Sequence, residues 1–489
     1  MAVTQAPGAS SPYMKAKGLT YVRIALIALA GWWVFSPALR GDWLWRDKSF
    51  LAENSVVRDS AGLWKIWFAP SDPDYRPLMT SVQWLQWRLL GADPLGYHLT
   101  NAGLHLLSAL LLWRVLRKLG VRLGWLGGLL LMVHPFAVES VARIPELGAC
   151  LALPLLLLAA LAYLNFDETS PTHLATESTK STEKTNASSS LCSLWLKVWG
   201  WHVLSLGGFL LAMLSNASAA IFPAILLLHA WWRHRRITRV DWRAVEPFFA
   251  VMLMFAAVTL CMRSYSTADA TTAGLFSRLA AAGLAIGSYL LACLVPINLV
   301  PLQSHAWLPL AVLIGLGAAA LGWFFSSPVF RGFAFQTRMS LFAAVAVVIA
   351  ALAGASRSYA GVFTGNEAFW SAGADRDADS AVAQYNLGLV LVGSHRLPEA
   401  IGRFEAALRV QPDYAEAQSD LAIALCVEGR PAEAIPHFER AIQLKSDSAQ
   451  IRYNFGLALR AVGRPEEARA QWEAAARLLH GGSADAPSQ

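Results

Sequence analysis

The sequence predicts an all-α chain in two parts, a many-helix membrane domain followed by a soluble array of helical hairpins. Three observations predict it. The chain has 489 residues, of which 55% are hydrophobic and 15% charged, where a soluble domain averages about 25% charged. Its mean hydropathy is +0.42, and it carries 20 Trp, a residue that favours membrane interfaces. After residue 380 the apolar runs stop, and polar helical sequence repeats itself every 34 residues.

The chain begins with a polar tail, 1–19, expected in the cytoplasm because Lys15, Lys17 and Arg23 border the first apolar run. No clear small-residue cleavage site follows, so an uncleaved first span is expected rather than a signal peptide. A span needs about 20 largely apolar residues. The candidates within a membrane domain over 20–357 are 20–38, 98–116, 123–142, 147–165, 199–215, 218–232, 246–262, 277–297, 306–325 and 339–356. Basic loops mark the cytoplasmic side. These are Arg114 to Arg122, "RHRRITR" at 233–239, and a weaker pair, Arg331 and Arg338. Ten full crossings conflict with that last pair. The two prolines of "LVPINLVPLQ" suggest that 277–305 does not cross fully.

This topology puts loop 39–97 and the turn 134–147 outside, and the Ser/Thr-rich loop 166–198 inside, where its composition predicts no packed structure. The outer loop holds Asp47 between Arg46 and Lys48, then Tyr75 and Arg76 in "DYRPL". Two flanking cations are expected to lower the pKa of Asp47 and weaken it as a base. The next span enters carrying His98, Asn101 and His105, which helical spacing puts near one face. Singly, each such residue more often makes an inter-helix hydrogen bond than a ligand contact. The turn "HPFAVESVARIPE" adds His134, Glu139 and Glu146. The five Cys show no CxxC and no His/Cys metal spacing, so neither a disulfide framework nor a metal site is expected. The net charge of +7 follows the topology loops and does not suggest a nucleic-acid surface.

A linker is expected at 358–380. Blocks 381–414, 415–448 and 449–482 then align in register. Gly388/Ala422/Gly456 match one another, as do Phe404/Phe438/Trp472, pairing small with large where two helices must approach closely. This is the tetratricopeptide (TPR) pattern. Its concave face is expected to present Tyr385, Leu389, Val392, Ser419, Ile423, Tyr453, Leu457 and Arg460. Such a surface suits a protein or peptide partner with apolar or aromatic character. A short tail, 483–489, follows, so the last repeat is expected to have an open outer face.

The outer motifs carry a further resemblance. The run W-x-D-x(6)-N, then Y-x-P-L, then GYHLTN-x(3)-H, then HP-x(3)-ES-V resembles the membrane part of the transmembrane-and-TPR O-mannosyltransferases, which are GT-C glycosyltransferases. The resemblance covers most of 20–305 and continues into the repeats. It implies a many-helix inner-membrane protein, a polyprenyl-phosphate-linked sugar as donor, and transfer to Ser/Thr hydroxyls of a protein acceptor at the outer face. Asp47 would be the catalytic base, and Tyr75, Arg76, His98, Asn101, His134 and Glu139 would line donor or acceptor. The repeats would hold the acceptor on that same side. The chain departs from the pattern in places. Only the second acid of the usual pair is present, at Asp47. Leu147, Gly148 and Ala149 stand where a Lys or Arg with polar company is expected, and Asn216 where a Lys is expected. The alternative is a relative that keeps the fold and acts as a membrane-anchored protein-binding scaffold. A transporter fits less well, since no charged residue lies well inside a span and the halves show no symmetry.

Overall fold

The computed structural model describes residues 12–45, 47–68, 75–169, 187–266 and 307–480. All their regular structure is helical. The chain divides into two compact units, one up to Thr364 and one from Gly365.

The first unit opens with α1 (Pro12–Phe35) and continues through the outer loop with three short helices, α2 (Ser55–Arg58), α3 (Gly62–Phe68) and α4 (Pro77–Leu90). Next come α5 (Pro94–Lys118), α6 (Gly124–Val133), α7 (Val138–Ala142) and α8 (Leu147–Thr169). It closes with α9 (Ala187–Ser215), α10 (Phe222–His234), α11 (Arg239–Ser266), α12 (Trp307–Ser326), α13 (Pro328–Gly332) and α14 (Phe335–Gly361).

By length and composition, six of the described helices could cross a membrane, or up to seven if one bent pair counts as a span. Several of the ten expected spans differ. The stretch 123–142 is not one helix: α6 and α7 meet at 56°. The cause is local. His134 precedes Pro135 and is extended, at φ −78° and ψ 129°, as a residue before proline prefers. Its Nδ1 then accepts the Phe136 N–H at 3.2 Å and caps the next turn. The expected outer turn is therefore a packed segment, with Val138 to Ala142 all buried. The stretch 218–232 is not one regular α-helix: a 3-10 turn, Ala217–Ile221, leads into the 13-residue α10. The loop expected at 166–198 is helical at both ends, since α8 runs to Thr169 and α9 starts at Ala187. Residues 170–186, and the broken span proposed for 277–305, lie outside the described residues.

α5 shows why these helices start and stop where they do. Asp93 accepts the Leu95 N–H at 3.0 Å, Pro94 fills the first turn, and Arg117 and Lys118 close the last. Gly120 follows at φ +82°, the left-handed conformation that ends helices. Packing is closest where a helix offers glycine. A Cβ on Gly128 would lie 2.6 Å from the Ala109 carbonyl oxygen, so α6 meets α5 nearly backbone to backbone.

The second unit contains α15 (Asn366–Arg376), then three hairpins: α16 (Ala381–Gly393) with α17 (Leu397–Val410), α18 (Ala415–Val427) with α19 (Pro431–Leu444), and α20 (Ala449–Ala461) with α21 (Pro465–His480). The stretch 358–380, expected as a linker, is mostly helical instead. It holds the end of α14, a 3-10 turn and α15, which buries Phe369, Trp370 and Ala374. In the first and third hairpins a glycine meets an aromatic ring. A Cβ on Gly388 would lie 2.5 Å from the Phe404 ring, and one on Gly456 would lie 2.3 Å from Trp472. The turn repeats too, with His395, Gly429 and Gly463 all at positive φ (60°, 85° and 82°).

Candidate functional site

The outer loop is a small packed subdomain with a core of its own. Trp43, Leu51, Val57, Tyr97 and Ile144 form it, and Trp87 packs against it. Buried aromatic groups with polar tips need partners, and these find them. The Trp43 indole donates to the Ala92 carbonyl at 3.0 Å, and the Tyr97 hydroxyl to the Gly91 carbonyl at 2.7 Å. Further along, Asn54 caps α2 through Val56 and Val57, while Trp84 and Arg88 of α4 both donate to the Asp59 carbonyl.

Asp47 sits against this core and is 2% exposed. A tight turn holds it there. Its N–H donates to the Leu44 carbonyl at 2.7 Å, and its Oδ2 accepts the Leu44 N–H at 3.0 Å. The corner residue Trp45 has φ +35°. That left-handed backbone is costly for a bulky residue and is the kind of strain that gathers at functional sites. Burial pushes the Asp47 carboxyl up to about 7. The Leu44 N–H and the charge of Arg143 oppose the rise, and Glu146 adds to it. The sequence expectation of a lowered pKa is thus reversed. Lys48 is exposed, Arg46 lies outside the described residues, and among the described residues the cation acting on Asp47 is Arg143, in the turn after α7.

That turn was only partly foreseen. Arg143, which sequence reading did not single out, donates through one nitrogen, Nη1, to Glu139 Oε1 at 3.0 Å and Glu146 Oε1 at 3.3 Å. Glu139 is 1% exposed, and the Arg143 side chain 13%. Asn101 fixes the turn from α5. Its amide donates to the carbonyls of Arg143 at 3.0 Å and Val141 at 3.4 Å. Expected as a substrate contact, Asn101 spends both bonds on the backbone that carries Arg143. His105 likewise bonds the Leu131 carbonyl at 3.1 Å, and His134 caps the turn at Phe136. His98 differs from these. It is 1% exposed, and neither ring nitrogen meets a partner at hydrogen-bond geometry, though the ring lies beside the backbones of Gly41 and Ala142.

Of the two expected residues at 75–76, Tyr75 has φ +42° and donates its hydroxyl to the Trp67 carbonyl at 3.3 Å. Arg76 stands just before α4. The structure therefore brings Asp47, Glu139 and Glu146 together around Arg143, with Asn101 behind them. Among the described residues, no group of three or more His, Cys, Asp or Glu is arranged to hold a metal ion.

In the repeat unit, Leu389, Tyr453 and Leu457 are exposed, as is Val392. Ile423 is half-buried and Ser419 buried, which removes Ser419 from the expected concave surface. The Tyr385 hydroxyl donates to Asp420 at 2.7 Å. Burial and that carboxylate push its pKa above the usual tyrosine value. Arg460 lies 5.5 Å over the Trp472 ring.

A protein O-mannosyl-transferase of Caenorhabditis elegans (F38B6.6) is 24% identical over 153 residues, covering 28% of this chain and 22% of that relative's length. Two solved structures of MamA have TM-scores of 0.23 and 0.24, with 23% and 22% identity. They cover 24% and 25% of this chain, and 68% of their own length in each case. Residues 385–449 match the tetratricopeptide repeat family, so the second unit is a TPR array joined to an all-α unit with several helices apolar enough to cross a membrane.

Proposed function

We propose that the chain is an integral membrane glycosyltransferase that moves a sugar from a polyprenyl-phosphate donor to a protein Ser or Thr hydroxyl. One observation carries this reading: Asp47, at the expected position of the catalytic acid, is a buried carboxylate with a pKa of about 7. A base works best when its pKa lies near the working pH. Ionised Asp47 takes the proton of the acceptor hydroxyl. The freed oxygen attacks the anomeric carbon, the bond from that carbon to the phosphate oxygen breaks, and the polyprenyl phosphate leaves with the electron pair. A donor that cannot leave the bilayer suits a site on a subdomain between apolar helices. The Caenorhabditis elegans relative, a protein O-mannosyl-transferase, supports the reaction class. The TPR unit would present the polypeptide through Leu389, Tyr453 and Leu457. The topology that goes with this reading is a cytoplasmic N-terminus, with outer loop and repeats on the far side of the cell membrane.

A second reading has its own support. Leu147, Gly148 and Ala149 are buried in packing, and a Cβ on Gly148 would lie 2.6 Å from the Ser215 carbonyl oxygen. No side chain fits there without a shift, which favours a non-catalytic scaffold that keeps the fold. Transfer from polyprenyl-phosphoryl mannose to a Ser/Thr peptide, run on wild type and Asp47→Asn, decides. The transferase reading expects activity in the first and none in the second. Equal activity in both removes Asp47 from the mechanism, and none in wild type favours the scaffold.

A further inference from the structure

Departure of a phosphate needs positive charge or hydrogen-bond donors near its oxygens. The positions expected to supply a cation cannot do so. Gly148 faces the Ser215 carbonyl, and Asn216 spends its side chain capping Ser218 at 2.9 Å. Resting on the transferase reading, we propose that Arg143 and Gln83 are the anion-binding half of the site and hold the phosphodiester of a lipid-linked sugar.

Arg143 is built for this. Its ion pairs to Glu139 and Glu146 both use Nη1. The three N–H groups on Nε and Nη2 carry no hydrogen bond among the described residues. Those two nitrogens form one planar edge, which matches two oxygens of a phosphate. The acids grip one corner of the guanidinium, Asn101 fixes its backbone, and the opposite edge carries no hydrogen bond among the described residues. The side chain is 13% exposed, so a charge contact there is worth more than in water.

Gln83 is the second observation. It is 2% exposed, and its amide nitrogen has no hydrogen-bond partner. A buried donor left unmet is costly unless a ligand or water meets it. Its place on α4 points to the same turn. Met79, one helical turn before it, reaches to 2.7 Å of where a Gly148 Cβ would stand. Trp87, one turn after it, packs on the cluster containing Ile144. Gln83 thus lies on α4 between two residues that face 144–148. The charge balance selects the ligand. Among the described residues Glu139 and Glu146 already flank this arginine, so a phosphodiester with a single negative charge fits better than a phosphomonoester carrying nearly two.

The test is equilibrium binding to the full-length protein in phosphatidylcholine nanodiscs. The probes are polyprenyl-phosphoryl mannose, polyprenyl phosphate, phosphatidylglycerol and inorganic phosphate. The expected result is that the lipid-linked sugar binds best, Arg143→Gln weakens it tenfold or more, and Arg143→Lys weakens it less. Gln83→Leu should weaken it severalfold without lowering thermal stability. Glu146→Gln, which removes a competitor for the guanidinium, should tighten binding, a gain that a misfolded protein cannot show. Unchanged affinity in Arg143→Gln and Glu146→Gln would overturn the proposal. So would equal binding of phosphatidylglycerol or inorganic phosphate, which would assign the edge to a bulk headgroup or a free anion. The transferase reading stands or falls separately. Binding without transfer in wild type sinks that reading and leaves the anion site standing. Transfer that Arg143→Gln leaves untouched sinks the anion site alone.

Discussion

Arg143 in the membrane unit and Arg430 in the repeat unit make the same kind of contact in opposite surroundings. Arg143 reaches Glu146, three residues on, at 3.3 Å and Glu139 at 3.0 Å, with all three side chains at most 16% exposed. Arg430 reaches Glu433, also three residues on, at 2.7 Å, but the two side chains are 44% and 57% exposed. The repeat unit makes this contact three times, at Arg396–Glu399, Arg430–Glu433 and Arg464–Glu467. Distance alone would rank the surface pairs as stronger. Dielectric reverses the order. An exposed pair is screened and has lost side-chain freedom to form, whereas a buried pair cannot lose one member without stranding a charge. In the proposed site the buried cluster would hold charge in place for chemistry, while the surface pairs decorate a scaffold that apolar packing already fixes.

The largest expected effect lies at Asp47. Asp47→Asn keeps shape and hydrogen bonding but removes the base, so transfer should fall by about 10²–10⁴-fold. In wild type, transfer should climb with pH through about 7 and then level off, because burial raises the carboxyl to that value and only the ionised form is a base. The stability sign runs the other way. The folded state holds the Asp47 proton more tightly than the unfolded state, whose carboxyl titrates near 3.8. Stability from this group is therefore greatest at low pH and is lost as pH rises from about 4 to about 7. Melting of the full-length protein followed from pH 5 to 8, wild type against Asp47→Asn, checks it. A wild-type profile no steeper than the variant's would show that the carboxyl is not buried as described.

Next in size is the buried pair itself. Glu139→Ala should destabilise the first unit by about 3 kcal/mol, since breaking a buried ion pair leaves a charge uncompensated. Glu433→Ala should leave the melting of the repeats unchanged. Equal effects from the two would erase the contrast drawn here.

How much of this was legible in the sequence divides along the same line. The repeats were legible because a period of 34 displays which residues must meet, and Gly388 does face Phe404. The helices were legible as apolar runs, except where Pro135 broke one. Asp47 stands out by its place in a motif, but its surroundings are not those its sequence neighbours suggest. Neighbours in sequence, such as Lys48, need not be neighbours in space, and Lys48 is exposed. Among the described residues the cation acting on it is 96 residues away along the chain, at Arg143. Its signal was faint: an arginine four residues after Glu139 and three before Glu146 in an apolar turn. Asn101 could not have been assigned from sequence, because a polar residue entering a membrane can serve a ligand or a carbonyl equally well. The helix α15 was missed because its flanks read as a polar joint.

A smaller effect is expected at the turns of the repeats. His395 has φ +60° where the matching residues are Gly429 and Gly463. A side chain in that region costs about 1–2 kcal/mol, while glycine's extra freedom in the unfolded chain costs about 0.5–1. His395→Gly should therefore stabilise the repeats by roughly 0.5 kcal/mol, the difference of those two ranges. A higher melting temperature checks it, and a drop would mean that the His395 ring makes a contact worth more than the strain.

The smallest effect should come from the three surface pairs. Changing Arg396, Arg430 and Arg464 to Gln removes every one of these contacts at once, together with the link from Arg396 to Glu367 of α15. Each arginine stands just before a helix whose first turn contains its glutamate, so the pair recurs because the helix start recurs. The core of each hairpin lies elsewhere, in Phe404, Phe438 and Trp472 against their small partners. The triple variant should melt with wild type at physiological salt, where the Debye length is about 8 Å. At about 0.01 M salt, where it lengthens to roughly 30 Å, the wild type should gain a little and the variant should not. The link from Arg396 to Glu367 is the one member that ties α15 to the first hairpin. A loss confined to Arg396→Gln and present at all salt concentrations would show that this single contact carries weight, and the comparison would then have to treat the first repeat separately from the other two.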